Sequence, residues 1–213
     1  MLKIISIYTG TPGSGKSYHA TERIDLALRR GVNVICNYSI KTNARHKGIF
    51  IYKKNSDLTV DFLMKFALKV HKENKESQTV IVIDEAHIKF NSRGYDMHER
   101  LEWLEFLSVS RHIGYDVILI TQNDRAIDRQ VRGLVEYNFK HRRLSAFGFK
   151  GWFLIFICHK KFVYVKYWYV LNEKIESYFF NIKKKTAALY DTFALFKEYE
   201  NPKISQEKSN PCI

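Results

Sequence analysis

A chain of 213 residues with 46% apolar, 15% aromatic and 27% charged side chains is long enough for one large domain, or one domain with a small appendage. This composition, with only 10 Gly and 3 Pro, excludes disordered, collagen-like and low-complexity classes. The net charge is +13, and it is concentrated: positions 139–185 hold eleven Lys or Arg against two Glu, which points to a polyanion or an anionic lipid surface as partner, or to a solvated basic face.

The first apolar run, over 3–8, is too short for a secretory signal and reads as a strand. It leads into a glycine-rich turn and then a helix over 16–30 that stops at Gly31. Further strands are predicted over 33–36, 49–52, 79–83, 116–120 and 136–140, with helices over 57–71 and 98–110 between them. Val80-Ile81-Val82-Ile83 and Val117-Ile118-Leu119-Ile120 are continuous aliphatic runs, the mark of strands buried on both faces. The class expected is therefore α/β, a mostly parallel sheet covered by helices.

Beyond 140 the pattern changes to two aromatic and β-branched runs, 151–158 and 162–170, joined by His159-Lys160-Lys161 and predicted to pair as a β-hairpin. A short helix over 186–199 and a polar tail follow. The organisation expected is a core over 1–140, an appended aromatic and basic hairpin with a short helix over 141–199, and a disordered tail over 200–213. The longest uncharged apolar stretch, 151–158, is eight residues, against roughly 20 for a membrane-spanning helix, so none is expected. Cys36, Cys158 and Cys212 lie far apart without a CxxC pair and fit a reducing, cytoplasmic setting.

The chemistry sits at strand ends. Gly10-Thr11-Pro12-Gly13-Ser14-Gly15-Lys16-Ser17 matches GxxxxGK[ST] between a strand and a helix. Glycines there let successive backbone N–H groups converge on phosphate oxygens, and the helix start adds its positive dipole end. The nucleotide-binding set expected is Gly10, Thr11, Pro12, Gly13, Ser14, Gly15, Lys16, Ser17 and Tyr18, with Lys16 on the β- and γ-phosphates of ATP and Ser17 on Mg²⁺. The strand over 79–83 delivers Asp84, for the Mg²⁺ shell, and Glu85, for the base toward the attacking water. Gln122, after the next buried strand, is placed to sense the γ-phosphate or position that water, or simply to satisfy strand-end backbone groups. Arg111 is the first candidate for charge neutralisation during phosphoryl transfer, ahead of Arg93, Arg125 and Arg129.

The loop 10–17, the strand end Val34-Ile35-Cys36-Asn37, the block Val82-Ile83-Asp84-Glu85-Ala86-His87 and the run from Ser110-Arg111-His112 to Thr121-Gln122 together resemble the zonular occludens toxin (Zot) family. The resemblance covers roughly residues 1–170 and includes the assembly ATPases of filamentous phages. It implies a P-loop NTPase fold, ATP-driven extrusion of phage DNA, a homo-oligomer, a ring by kinship with DNA pumps, and Arg111 acting across a subunit boundary. Family members of this kind usually continue into a membrane-spanning helix and an outer domain, to which toxin activity is attributed. Without these, docking at the inner face of the membrane would need a partner or a peripheral surface.

Two other readings stay open: a small-molecule phosphotransferase, against which Glu85 argues, and a nucleotide-gated binding module with slow hydrolysis. For 139–185, single-stranded DNA, packing of the hairpin on the core, and anionic lipid all remain as accounts.

Overall fold

The structure, a computed structural model, describes residues 5–91 and 97–190. Apolar runs bounded by turn residues become strands close to where the pattern sets them: β1 (Ile5–Thr9), β2 (Asn33–Cys36), β3 (Phe50–Tyr52), β4 (Thr79–Ile83), β5 (Tyr115–Ile120) and β6 (Tyr137–Arg143). The helices between them are α1 (Lys16–Arg29), α2 (Val60–Val70), the single turn α3 (Ala86–Lys89), α4 (Met97–Ile113) and α5 (Arg129–Gly133), with α6 (Gly148–Cys158), β7 (Phe162–Trp168), β8 (Glu173–Phe180) and α7 (Lys184–Ala187) after β6. Thr59 caps α2, its hydroxyl accepting from the Phe62 amide at 3.2 Å, which explains why that helix starts later than its apolar period suggests.

One sheet holds all eight strands in the order β3-β2-β4-β5-β1-β6-β7-β8. The first six run parallel, and β7 and β8 are added antiparallel. Side chains alternate across the pleat, so each buried strand feeds two cores. Ile7, Ile35, Ile81, Val117 and Leu119 face α2, α4 and α5 with Leu63, Phe66, Trp103, Phe106 and Val131. Tyr8, Val34, Val80, Val82, Ile118 and Ile120 face α1, with Ala20, Ile24 and Leu28. Parallel register carries the C-terminal ends of β1, β4, β5 and β6 to one edge. Among the described residues, no helix is long and apolar enough to cross a membrane.

The hairpin differs from expectation. Residues 151–158 are not a strand: they belong to α6, and β7 pairs instead with β8, Lys166 opposite Glu176. A short aromatic run does not by itself discriminate strand from helix, and here positions 149, 152, 153, 156 and 157 recur at the helical period. β8 escapes the strand pattern because it is the sheet's edge, exposed over most of its length and carrying Glu173, Lys174 and Glu176, charges that discourage strand addition by another chain. β7 and β8 continue the main sheet, with Phe162 and Phe180 packed on Tyr18 at the start of α1. The helix expected over 186–199 is not formed as such: α7 is a single turn that starts earlier, at Lys184, and stops at Ala187, after which Tyr190 bridges to Ile40; positions 191–199, the tail 200–213 and Arg93 lie outside the described residues.

Candidate functional site

Between β1 and α1 the chain turns through Gly10, Gly13 and Gly15, all at positive φ. Gly10 admits no side chain, and Gly15 leaves little room for one. A Cβ on Gly10 would lie 2.3 Å from the His141 carbonyl oxygen of β6, and one on Gly15 would lie 3.1 Å from the Phe180 ring of β8. Strands after position 140 thus form one wall of the loop's cradle.

Lys16 is buried at the start of α1, and its Nζ donates to the carbonyls of Gly10 at 2.8 Å and Thr11 at 3.1 Å. Burial draws its pKa down, opposed by the nearby Asp84 and Glu85 carboxylates. Ser14 Oγ is buried without a hydrogen-bond partner within the described residues, a donor left for a ligand. Tyr18 is placed differently: its ring stacks on Phe180 at 5.8 Å and its hydroxyl accepts from the Lys183 amide at 3.2 Å. Its side chain anchors the loop helix to β8.

The carboxylates arrive on β4. Ser17 Oγ donates to Asp84 Oδ2 at 3.2 Å, and Asp84 Oδ1 accepts from the Glu85 amide at 2.8 Å. Burial raises the Asp84 pKa. Asn37, at the end of β2, latches this turn from both sides: its Oδ1 accepts from the Asp84 amide at 2.7 Å and its Nδ2 donates to the Asp84 carbonyl at 2.8 Å. Sequence reasoning quoted Asn37 within a strand end but gave it no role. Glu85 holds the left-handed conformation, φ 49°, as the chain leaves β4 for α3, an unusual conformation for glutamate of the kind found at functional sites. Its Oε2 accepts no hydrogen bond within the described residues, although His87 Nδ1 approaches to 3.2 Å.

β5 lies between β1 and β4, so its C-terminal residues fall between the loop and the carboxylates. Thr121 is buried there, 3.5 Å from His87 Nδ1, and the Gln122 carbonyl accepts from the Gly10 amide at 3.3 Å. Gln122 lines a cleft of about 480 Å³ with Gly10, Thr11, Lys140, Arg142 and Arg143. The sequence reading did not single out this arginine pair; an Arg-Arg at the end of the strand that adjoins β1 was the available signal.

Arg111 is not brought to this edge. It ends α4 just before β5, and so lies at the opposite edge of the sheet, about 20 Å away along a six-residue strand. There its Nε donates to Glu76 Oε1 at 3.0 Å. Arg125 and Arg129 are exposed in the segment after Gln122.

Behind the loop, His19 Nδ1 lies 2.8 Å from His141 Nε2, and His141 Nδ1 lies 2.9 Å from the Phe139 carbonyl. A proton on His141 Nδ1 serves that carbonyl and leaves Nε2 to accept from His19. The His19 ring is stacked between Tyr8 at 4.7 Å and Tyr164 at 4.3 Å. Burial pushes both imidazoles down, His141 to about 4. Unfolded histidine protonates near pH 6.5. Below that pH the unfolded chain takes up protons that the folded one refuses, so this pair makes stability fall from about pH 6.5 toward 4. Urea unfolding across that range should show a slope shallower in His141→Gln than in the wild type, by up to about 1.4 kcal/mol per pH unit. Equal slopes would contradict the neutral buried pair.

The sequence pattern of Zonular occludens toxin (Zot) matches residues 4–195. The gene 1 proteins of Escherichia phage If1 and Salmonella phage IKe are 25% and 28% identical over 149 and 154 residues, each alignment covering 66% of this chain and 42% and 40% of the relative. The chain thus spans about two fifths of the length of these relatives. The N-terminal domain of zonular occludens toxin from Neisseria meningitidis superposes with a TM-score of 0.58 at 18% identity, over 88% of this chain and 98% of that one. The genome packaging NTPase B204 from Sulfolobus turreted icosahedral virus 2, in complex with ATP-γS, gives 0.54 at 18% identity, over 85% and 98%. A glycine loop facing a carboxylate-bearing strand, inside a match that runs through nearly all of the described residues, makes this chain a member of the zonular occludens toxin family, built on the P-loop NTPase fold.

Proposed function

We propose that the protein is a Mg²⁺-dependent ATPase that drives filamentous phage assembly or DNA transfer by extruding DNA. The observation that carries this reading is the 3.2 Å hydrogen bond between Ser17 Oγ and Asp84 Oδ2, which closes the loop of β1 onto the carboxylate turn of β4. A hydroxyl and a carboxylate side by side are a hard-oxygen pair that suits Mg²⁺. When bound, the ion would neutralise charge on the β- and γ-phosphates. Lys16 would exchange its two loop carbonyls for phosphate oxygens, Glu85 would take a proton from water, and Gln122 would orient that water. The phage origin of the gene 1 proteins supports a place in phage biology, and the genome packaging named for the viral NTPase supports coupling such a site to DNA movement.

A ring of subunits, in the cytoplasm at the inner face of the membrane, is the assembly proposed. With Arg111 at the far edge of its own sheet, any part it takes in phosphoryl transfer would be in a neighbour's site. Within one subunit its pairing with Glu76 is a surface contact worth about 0–1 kcal/mol, so Arg111→Ala should fold normally. Mixing Arg111→Ala with Lys16→Ala subunits is then expected to restore ATP turnover that neither has alone. No recovery, with assembly shown by sedimentation, would hand the role to Arg142 or Arg143, which already line the cleft beside Gly10 and Gln122.

A further inference from the structure

Antiparallel neighbours such as β6 and β7 can be joined by a tight turn. Here they are joined through a 3₁₀ turn, Leu144–Phe147, and the whole of α6. Phe149, Trp152, Phe153, Phe156 and Ile157 of this helix are 87, 72, 59, 72 and 57% exposed. At 100° per residue they form one stripe about 140° wide, uninterrupted by a charged side chain. The four aromatics alone present on the order of 600 Å² of apolar surface, the upper end of what an ordinary soluble monomer shows in one patch.

The surroundings say what covers it. From position 142 to 161 the chain carries five Lys or Arg and no Asp or Glu. Two copies meeting through this face would bring ten cations together, which disfavours self-pairing. A nucleic-acid platform interleaves cations with its stacking rings, whereas this stripe is contiguous and includes an isoleucine. Eleven residues of helix are about 16 Å long, roughly half the thickness of a bilayer's hydrocarbon core, so the helix would lie in the membrane plane rather than cross it.

We propose that α6 inserts its aromatic stripe into the surface of an anionic lipid bilayer, with Lys160 and Lys161 on the headgroups. α6 is apolar with its cations gathered at and beyond its ends, so the membrane contact would be made by aromatic side chains that favour the bilayer–water interface and by basic residues drawn to anionic headgroups. The proposal stands apart from the ATPase reading. It also sets the nucleotide edge close to the membrane, because Phe147, at the foot of α6, lines the same cleft as Gly10 and Gln122.

The test is flotation of the full chain with phosphatidylcholine vesicles, with and without phosphatidylglycerol. Binding is expected only with the anionic lipid. The chain has three tryptophans, and Trp103 is buried; the blue shift of emission on binding, and its quenching by brominated lipid, should be lost in Trp152→Phe while flotation persists. Trp152→Glu with Phe156→Glu should cut binding more than about tenfold with an unchanged circular dichroism spectrum. Lys160→Gln with Lys161→Gln should weaken it about thirtyfold. Wild-type chain that stays with the soluble fraction, or flotation indifferent to the glutamate pair, would overturn the proposal. So would loss of self-association or of DNA binding in the glutamate pair without any vesicle binding, which would assign the stripe to a second copy or to nucleic acid.

Discussion

Glu85→Gln is expected to leave ATP bound and to lower turnover about 10²- to 10⁴-fold, the usual loss when a general base is removed. The substitution keeps the shape of the side chain and removes only its capacity to take a proton. The turn that presents Glu85 is held by other groups, Asn37 on both backbone atoms of Asp84 and the Asp84 carboxylate on the Glu85 amide, so the variant should fold and bind normally. A small-molecule phosphotransferase would scarcely notice the change, since its acceptor is not water. Phosphate release by Glu85→Gln at the wild-type rate would remove the assigned role.

Lys16→Ala should weaken the binding of a non-hydrolysable ATP analogue by about 10- to 100-fold, as expected for losing a charged hydrogen bond of about 1.5–3 kcal/mol, and should abolish turnover with it. The Lys16 ammonium closes the loop on its own carbonyls at 2.8 and 3.1 Å, so the alanine variant loses both the charge and the brace that holds Gly10 and Thr11 in place. Calorimetric titration measures this. Unchanged affinity would show that nucleotide does not sit on this loop.

Much of this site could be read from the chain because its parts are local. The glycine loop is contiguous, and β4 and β5 are aliphatic runs buried on both faces whose ends must meet at one edge of a parallel sheet. Contacts between distant positions were invisible. Asn37 reaches Asp84 across 47 positions, His19 meets His141 across 122, and Tyr18 binds the Lys183 amide across 165. Arg111 looked well placed just ahead of the strand carrying Gln122, yet the strand's own length separates the two. The segment after β6 misled for a different reason. An aromatic run favours strand by propensity, and only its spacing, with β8 available as partner for β7, gives α6.

Whether this site hydrolyses ATP to move DNA, as proposed, is tested most directly by steady-state phosphate release from the full chain, with and without single-stranded DNA and with Mg²⁺ present or chelated. Release is expected to require Mg²⁺, to rise with DNA and to vanish in Glu85→Gln. ATP bound at Lys16 but released intact, at a rate no higher than in Lys16→Ala and indifferent to DNA, would contradict the proposal.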